Sequence, residues 1–152
     1  MPPAAKTTGN YANSTLAKME ALNAGYDEAI MLNGAGLVSE CSGENLFCAK
    51  GDVVLTPPTS SGALPGITQD TVMRLAADLG INIEIGDLAR SDLYTADEIF
   101  VVGTAAEVSA VNSVDDRAVP CPGPATTALA AAYADLVRGR NDKYRDWNEL
   151  VS

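Results

Sequence analysis

The chain has 152 residues and a net charge of −10, with ten basic side chains against twenty acidic ones and a pI of about 4.2. Such an acidic surface attracts neither nucleic-acid phosphates nor anionic headgroups, so we expect no nucleic-acid or membrane partner. No apolar run approaches the ~20 residues that cross a bilayer, and the first residues do not resemble a signal peptide. Length and composition predict one domain in the cytoplasm.

The side-chain inventory restricts the possible chemistry. Histidine is absent, and Cys41, Cys48 and Cys121 form an odd set without a CxxC pair. The lack of histidine excludes Ser-His-Asp and Cys-His triads and every histidine-ligated metal site, and the cysteines favour neither a disulfide framework nor a zinc knuckle. Acid–base chemistry must therefore come from lysine, tyrosine, a carboxylate or a bound cofactor, and we expect no metal.

The first third of the chain is predicted to form a helix and two strand pairs. The helix runs from Asn10 to about Ala24, where Gly25 is placed to end it. Its apolar face is expected to comprise Ala12, Leu16, Met19 and, at the margin, Leu22. Strands are predicted in "DEAIMLN" and "GLVSE" around the turn "NGAG", and in "NLFCAK" and "VVLTPP" around "GD".

The rest of the chain alternates between helical and strand patterns. In "LPGITQDTVMRLAADLG" we predict a helix with Thr68 as N-cap and Gly80 as its stop. Its apolar stripe comprises Val72, Leu75, Ala76 and Leu79. "INIEIG" and "EIFVVGTAA" are predicted strands, "SDLYTAD" is a short helix, and a last helix begins near Pro124 and continues through Leu129, Ala132, Tyr133 and Leu136. The polar tail is expected to contact the body through Tyr144, Trp147 and Leu150. This pattern predicts an α+β fold with a mixed or mainly antiparallel sheet.

Four short segments are candidates for chemistry, although each alone has an ordinary explanation. Lys6 lies near the terminus, where a lysine side chain is ordinarily solvated, and Glu40 and Glu44 can be explained as ordinary carboxylates of a turn. "LPGIT" brings a tight Pro-Gly turn directly before a helix, where free backbone N–H groups and the threonine hydroxyl can converge on an anion. "GTAAE" follows a buried strand, and its small residues let backbone amides approach a ligand.

Taken together, "KTTGNY", "SECSGENLF", "LPGIT" and "GTAAE" resemble, in this order and spacing, the C-terminal half of branched-chain amino-acid aminotransferases. These are pyridoxal-phosphate enzymes of fold type IV, and the resemblance extends from Pro2 to about Leu150. It implies that residues 1–152 are a single domain, equivalent to the large C-terminal domain that binds the cofactor in a pseudo-barrel with packed helices. It also implies that the N-terminal domain is absent and that the chain is a fragment.

The resemblance assigns roles around pyridoxal 5'-phosphate. Lys6 corresponds to the Schiff-base lysine, and its freed amine is the base that moves the substrate's α-proton. Glu40 corresponds to the carboxylate that pairs with the pyridine nitrogen, so that the ring can act as an electron sink. Tyr11 corresponds to the hydrogen-bond partner of the cofactor's phenolic oxygen, and Asn45 supports this wall of the site.

The two glycine-containing loops take the remaining implied roles. Leu64 packs against the cofactor ring, and the amides of Ile67 and Thr68 bind its phosphate. The Thr104 hydroxyl also binds phosphate, while the amides of Thr104 and Ala105 receive the substrate carboxylate. Cys41 departs from the family pattern, which more often has glycine there; we expect altered packing and no new chemistry.

The implied function is transamination between branched-chain amino acids and 2-oxoglutarate, as in branched-chain amino-acid biosynthesis. D-amino-acid or (R)-amine transaminases and aminodeoxychorismate lyase share the fold and remain alternatives, as does a catalytically dead fragment that acts only in binding or assembly. Because the family's N-terminal half supplies a phosphate-binding arginine and much of the side-chain pocket, this chain is expected to be inactive alone. Its expected partners are amino-acid and 2-oxo-acid substrates, the missing half and further copies in a dimer or higher homo-oligomer.

Overall fold

A five-stranded open sheet forms the centre of the fold in the computed structural model, which describes residues 5–149. Its strand order is β5-β4-β3-β6-β7, with all neighbours antiparallel except the parallel pair β4 and β5. The strands are β3 (Asn45–Lys50), β4 (Val53–Thr56), β5 (Ile83–Ile85), β6 (Glu98–Gly103) and β7 (Glu107–Val111). The predicted mixed, mainly antiparallel sheet is therefore confirmed.

Among the described residues, two small antiparallel strand pairs and four α-helices pack around this sheet. The pairs are β1 (Ile30–Leu32) with β2 (Val38–Cys41), and β8 (Ser113–Val114) with β9 (Arg117–Ala118). The helices are α1 (Tyr11–Asn23), α2 (Ile67–Leu79), α3 (Arg90–Leu93) and α4 (Pro124–Val137). Short 3-10 helices occupy Thr8–Asn10, Thr59–Ser61 and Asp142–Trp147. Within residues 5–149, no helix combines the length and the apolar character needed to span a membrane.

Both faces of the sheet are buried, because successive side chains of a strand point to opposite faces. On one face Phe47 and Phe100 pair across β3 and β6, with ring centroids 4.9 Å apart, and pack with α2 and α4. On the other face Leu46 and Ile99 join a second cluster with residues of β2 and α3. A sheet covered on both sides leaves its functional surface at the strand ends and connecting loops.

Helix α1 forms where it is predicted, but its apolar face is exposed to solvent. Leu16, Met19 and Leu22 are 71%, 51% and 48% exposed, and no residue of the helix is buried. The helix is tied to the body by a polar contact, in which Lys18 Nζ donates to the Asp27 carbonyl at 2.6 Å and to Glu28 Oε2 at 2.7 Å. Its apolar side therefore faces outward.

Three further details differ from the sequence prediction. The N-cap of α2 is Gly66 and not Thr68, which lies buried in the first turn. The "NGAG" hairpin closes through a longer loop, in which Asn33 Oδ1 accepts from the amides of Ala35 and Leu37 at 2.9 and 3.1 Å. Strand β7 was not predicted, since "EVSAV" carries little apolar alternation and forms by pairing with β6.

The last helix and the tail follow the prediction more closely. Leu129, Tyr133 and Leu136 of α4 are buried, and the half-buried Tyr144 packs against the same cluster. Trp147 is 47% exposed and contacts the Tyr144 ring, with centroids 4.5 Å apart. The predicted contact of Leu150 lies outside the described residues.

Candidate active site

A cleft opens where the turn after β2, the segment before α2 and the end of β6 meet the N-terminal segment. It brings together eight of the nine site residues predicted from the sequence. These are Lys6, Tyr11, Glu40, Asn45, Leu64, Ile67, Thr68 and Thr104. Ala105 is the exception, since it does not line the cleft. Residues up to 98 positions apart in sequence, from Lys6 to Thr104, therefore line the same cleft.

Glu40 is held in this cleft by the segment that leads into α2. The Leu64 amide donates to Glu40 Oε2 at 2.8 Å, and Asn45 Nδ2 donates to the Leu64 carbonyl at 2.8 Å and lies 3.5 Å from the same Oε2. Burial raises the pKa of the Glu40 carboxyl, and the Leu64 amide and the charge of Lys6 oppose that rise. The carboxylate is thus fixed in orientation and has a cation nearby.

The N-terminus of α2 is directed at the cleft without a side-chain cap. The first N–H groups of a helix have no carbonyl partner within the helix, and here they include those of Ile67 and Thr68. A Cβ on Gly66 would lie 2.1 Å from Asn45 Oδ1, so only glycine permits this approach. The Ile67 side chain is 79% exposed while Thr68 is 5% exposed, which leaves the backbone of the turn accessible and the threonine fixed.

Lys6 and Tyr11 form the side of the cleft contributed by the N-terminal segment. Lys6 is exposed and Tyr11 is half-buried at the start of α1. Asn10 Nδ2 donates to the Ala5 carbonyl at 2.8 Å, which fixes the residue before Lys6 relative to the helix. The only amine that lines the cleft among the described residues is therefore anchored to α1.

The far wall combines the end of β6 with the turn after β2. Gly103 and Thr104 line it, and a Cβ on Gly103 would lie 3.3 Å from Glu44 Cγ. This close approach places the Glu44 side chain directly against the backbone that precedes Thr104. Thr104 and Thr68 are thus presented to the same cleft from separate elements.

Six lining residues were not predicted as site residues: Ser42, Gly43, Glu44, Gly66, Val102 and Gly103. Ser42, Gly43 and Glu44 belong to the quoted segment "SECSGENLF", and Gly66 belongs to "LPGIT". Their position inside these motifs is the signal that could have identified them as lining residues. Glu44 was interpreted only as a turn carboxylate. Its contact with Glu28 could not be seen, because sixteen positions of chain separate them.

The three cysteines are free thiols in this structure. Cys41 is 1% exposed, and burial raises the pKa of its thiol well above the usual value, with the charges of Glu28, Glu44 and Glu40 adding to the rise. Burial likewise raises the pKa of Cys48 to about 11. Both buried thiols are therefore protonated packing groups at neutral pH, which agrees with the packing role expected for Cys41.

Comparison with known proteins identifies the family to which this chain belongs. The family model for amino-transferase class IV matches residues 1–114. The chain belongs to this family. A probable branched-chain-amino-acid aminotransferase of Aquifex aeolicus is 45% identical over 150 residues, covering 97% of this chain and 48% of that protein. The branched-chain-amino-acid aminotransferase of Escherichia coli K12 is 44% identical over 155 residues, covering 100% and 50%.

Solved structures of such class IV aminotransferases share the fold. The branched-chain aminotransferase of Thermoproteus uzoniensis with norvaline superposes with a TM-score of 0.94 at 48% identity, covering 97% of this chain and 49% of that one. The branched-chain amino acid aminotransferase of Thermobaculum terrenum in its PLP-bound holo-form gives a TM-score of 0.93 at 41% identity, covering 97% and 49%. The predicted fold is confirmed, and the chain spans about half the length of the relatives it matches.

Proposed function

We propose that this chain is the cofactor-binding part of a pyridoxal-phosphate aminotransferase that acts on branched-chain amino acids and 2-oxoglutarate. The observation that carries the proposal is a single cleft containing an amine, Lys6, a fixed carboxylate, Glu40, and the uncapped N-terminus of α2. The relatives at 44–45% identity are named for branched-chain amino acids, which favours this substrate class over D-amino acids, (R)-amines and aminodeoxychorismate.

The residues of the cleft fit pyridoxal 5'-phosphate. Free backbone amides at a helix N-terminus are suited to a phosphate, and Gly66 lets the turn come close to Asn45 without a side chain in the way. We assign the Ile67 and Thr68 amides and the Thr104 hydroxyl to the phosphate, Tyr11 to the phenolic oxygen and Leu64 to the ring face. When bound, the cofactor supplies an electron sink for the substrate's α-carbon.

Lys6 and Glu40 have complementary tasks in this proposal. Lys6 Nζ would hold the cofactor in this cleft, and as a free amine it would act as the base for the substrate's α-proton. The Leu64 amide engages Glu40 Oε2, so Oε1 is the oxygen that we assign to the protonated ring nitrogen. Asn45 is a positioning residue, because it holds the Leu64 backbone that in turn holds Glu40. The amides of Thr104 and Ala105 are proposed to receive the substrate carboxylate.

The whole activity is proposed to need a part that this chain does not contain. The chain covers about half of its relatives, and its cleft presents one lysine against two glutamates, so little positive charge is available for a phosphate. A charge-assisted hydrogen bond contributes about 1.5–3 kcal/mol. Without such a bond to the phosphate, the affinity for the cofactor is lower by one to two orders of magnitude. We therefore propose the other half and a dimeric or higher assembly as partners, and the cytoplasm as the location.

A complementation assay tests this function. The purified chain is mixed with leucine, 2-oxoglutarate and pyridoxal 5'-phosphate, with and without the separately expressed N-terminal half of the E. coli relative. We expect slow or no glutamate formation from the chain alone and a clear rate with both halves. A Lys6→Arg variant, which keeps the charge, should abolish that rate. Equal rates for Lys6→Arg and the unaltered chain would contradict the proposal.

A further inference from the structure

Glu44, which lines the cleft, interacts with Glu28 behind it, and the two carboxyl groups are unequally supplied with hydrogen-bond donors. Glu28 receives donors on both oxygens: Lys18 Nζ at 2.7 Å on Oε2, and on Oε1 the Ala29 amide at 2.7 Å and the Ser42 hydroxyl at 2.5 Å. The Ser42 amide adds a longer contact of 3.3 Å. This set of donors suits a fully charged carboxylate.

Glu44 lies next to Glu28 and has the opposite surroundings. Its Oε2 is buried and has no hydrogen-bond partner among the described residues. The turn that carries it is closed by the Cys41 amide, which donates to the Glu44 carbonyl at 2.8 Å, and its Cγ packs against Gly103. Two carboxylates cannot bond to each other, whereas a protonated Glu44 can donate to Glu28. Geometry therefore assigns the charge to Glu28 and the proton to Glu44.

The electrostatics of the pair agree with this assignment. The pKa of Glu44 is raised to about 7, first by burial and then by the hydrogen bond and charge of Glu28, while Lys18 and the Gly43 amide oppose the rise. Burial also acts to raise the pKa of Glu28, but its bonds to Lys18, Ser42 and Ala29 outweigh burial and bring it to about 2. Besides Glu44, the charged groups that line the cleft among the described residues are Lys6 and Glu40.

We propose that Glu28 and Glu44 share one proton at the wall of the cleft, and that Glu44 in its uncharged form is a positioning residue for anion binding there. The uncharged side chain packs against Gly103, next to the Thr104 hydroxyl, and keeps a second carboxylate charge away from the phosphate. The shared proton stands on the geometry of this chain, while its effect on phosphate rests on the proposed function.

The sign of the expected pH effect follows from linkage. An unfolded glutamate loses its proton near 4.5, whereas folded Glu44 keeps it to about pH 7. The stabilisation from the shared proton is therefore complete below about pH 4.5 and is lost as the pH rises through 7. Above pH 7 the added charge should also weaken anion binding.

Comparison of three variants over a range of pH tests the proposal. Melting temperatures of the unaltered chain, Glu44→Gln and the charge-matched surface control Glu84→Gln are measured from pH 5 to 8.5. Glu44→Gln mimics the uncharged acid and does not titrate. The difference between its melting temperature and that of the unaltered chain should therefore grow by about 3 °C or more from pH 5 to 8.5. Glu84→Gln should follow the unaltered chain. As a second variant, Glu28→Gln should make the same profile shallower at a lower overall stability, because Glu44 loses the charge of Glu28 and Lys18 keeps only the Asp27 carbonyl as partner.

Affinity for pyridoxal 5'-phosphate, titrated on the same proteins with the complementing N-terminal half present, provides the second readout. The affinity ratio of Glu44→Gln to the unaltered chain cancels titrations of the ligand itself, and should rise about threefold or more from pH 6 to 8.5. Parallel melting profiles, or an affinity loss in Glu44→Gln that is equal at every pH, would overturn the proposal. If the proposed function is wrong, binding is absent from all the proteins while the difference between the melting profiles persists.

Discussion

Two helices of this chain begin with the same local chemistry and use it differently. Both α2 and α4 follow a Pro-Gly pair, and both have glycine as N-cap with no side-chain cap from that residue. A Cβ on Gly66 would lie 2.1 Å from Asn45 Oδ1, and one on Gly123 would lie 2.2 Å from Glu98 Oε2. In each case glycine lets a polar side chain of a central strand approach the turn.

The two helices differ in the group that faces the free N–H groups of their first turn. At α4 the buried Glu98 accepts from the Ala125 amide at 3.0 Å, from the Thr126 amide at 2.9 Å and from the Thr126 hydroxyl at 2.6 Å. At α2 the approaching side chain is the neutral Asn45, which donates to Leu64, and the helix start lines the open cleft. One helix carries its own anion, while the other leaves the position for a ligand.

The largest effect is expected when the internal anion of α4 is removed. Glu98→Ala leaves three donors without their acceptor in a buried site, and each charge-assisted bond contributes about 1.5–3 kcal/mol. Because such losses are not additive, we expect the free energy of unfolding to fall by about 3 kcal/mol or more in urea titrations. Glu84→Ala on the exposed edge is the control. A loss below about 1 kcal/mol would mean that α4 does not need its carboxylate.

A smaller effect is expected when the approach of Asn45 to α2 is blocked. Gly66→Ala forces Asn45 away from Gly66, which disturbs its bond to Leu64 and, through Leu64, the orientation of Glu40. We expect affinity for pyridoxal 5'-phosphate to fall about tenfold or more, equal to about 1.4 kcal/mol. Gly34→Ala, where a Cβ meets nothing within 4 Å, should bind as before. Equal affinities for both variants would contradict the fit proposed for the turn.

The smallest effects come from a pair of matched hydroxyl deletions. Thr126→Val removes one bond to Glu98 and should lower stability by about 1 kcal/mol without changing cofactor affinity. Thr68→Val should lower that affinity about fivefold with little change in stability, because Thr68 lines the cleft at the start of α2, where a threonine hydroxyl can add a donor for an anion. Urea titration and cofactor titration are carried out on both variants. The reverse pattern would show that the start of α4, and not that of α2, serves the ligand.

The sequence predicted most elements of this fold, because local rules determine them. Gly25 and Gly80 follow their helices as expected, and both have positive φ, at 90° and 70°. The exposure of the apolar face of α1 was not predictable, because periodicity shows that a helix has an apolar face but not whether anything covers that face. The Thr68 error arose because Asn45, twenty-one positions before Gly66, selects the glycine as the cap.

The site was predictable as far as its motifs extend. Lys6, Glu40 and Thr68 lie in quoted segments, and the fold brings these segments to one cleft. What the motifs could not contain is the network between segments: the bond from the Leu64 amide to Glu40, and the contact of Glu28 with Glu44. Such contacts depend on how β2, β3 and the loop before α2 pack, which no single segment encodes.

The most direct test of the central claim is to trap the cofactor on the chain and locate it. The chain, with the complementing half present, is incubated with pyridoxal 5'-phosphate, reduced with borohydride, digested and mapped by mass spectrometry. We expect the pyridoxyl label on Lys6, and Lys6→Arg should lose the label while the control Lys50→Arg keeps it. Label mainly on Lys18 or Lys50, or equal labelling of all lysines, would contradict the claim that this cleft is the cofactor site.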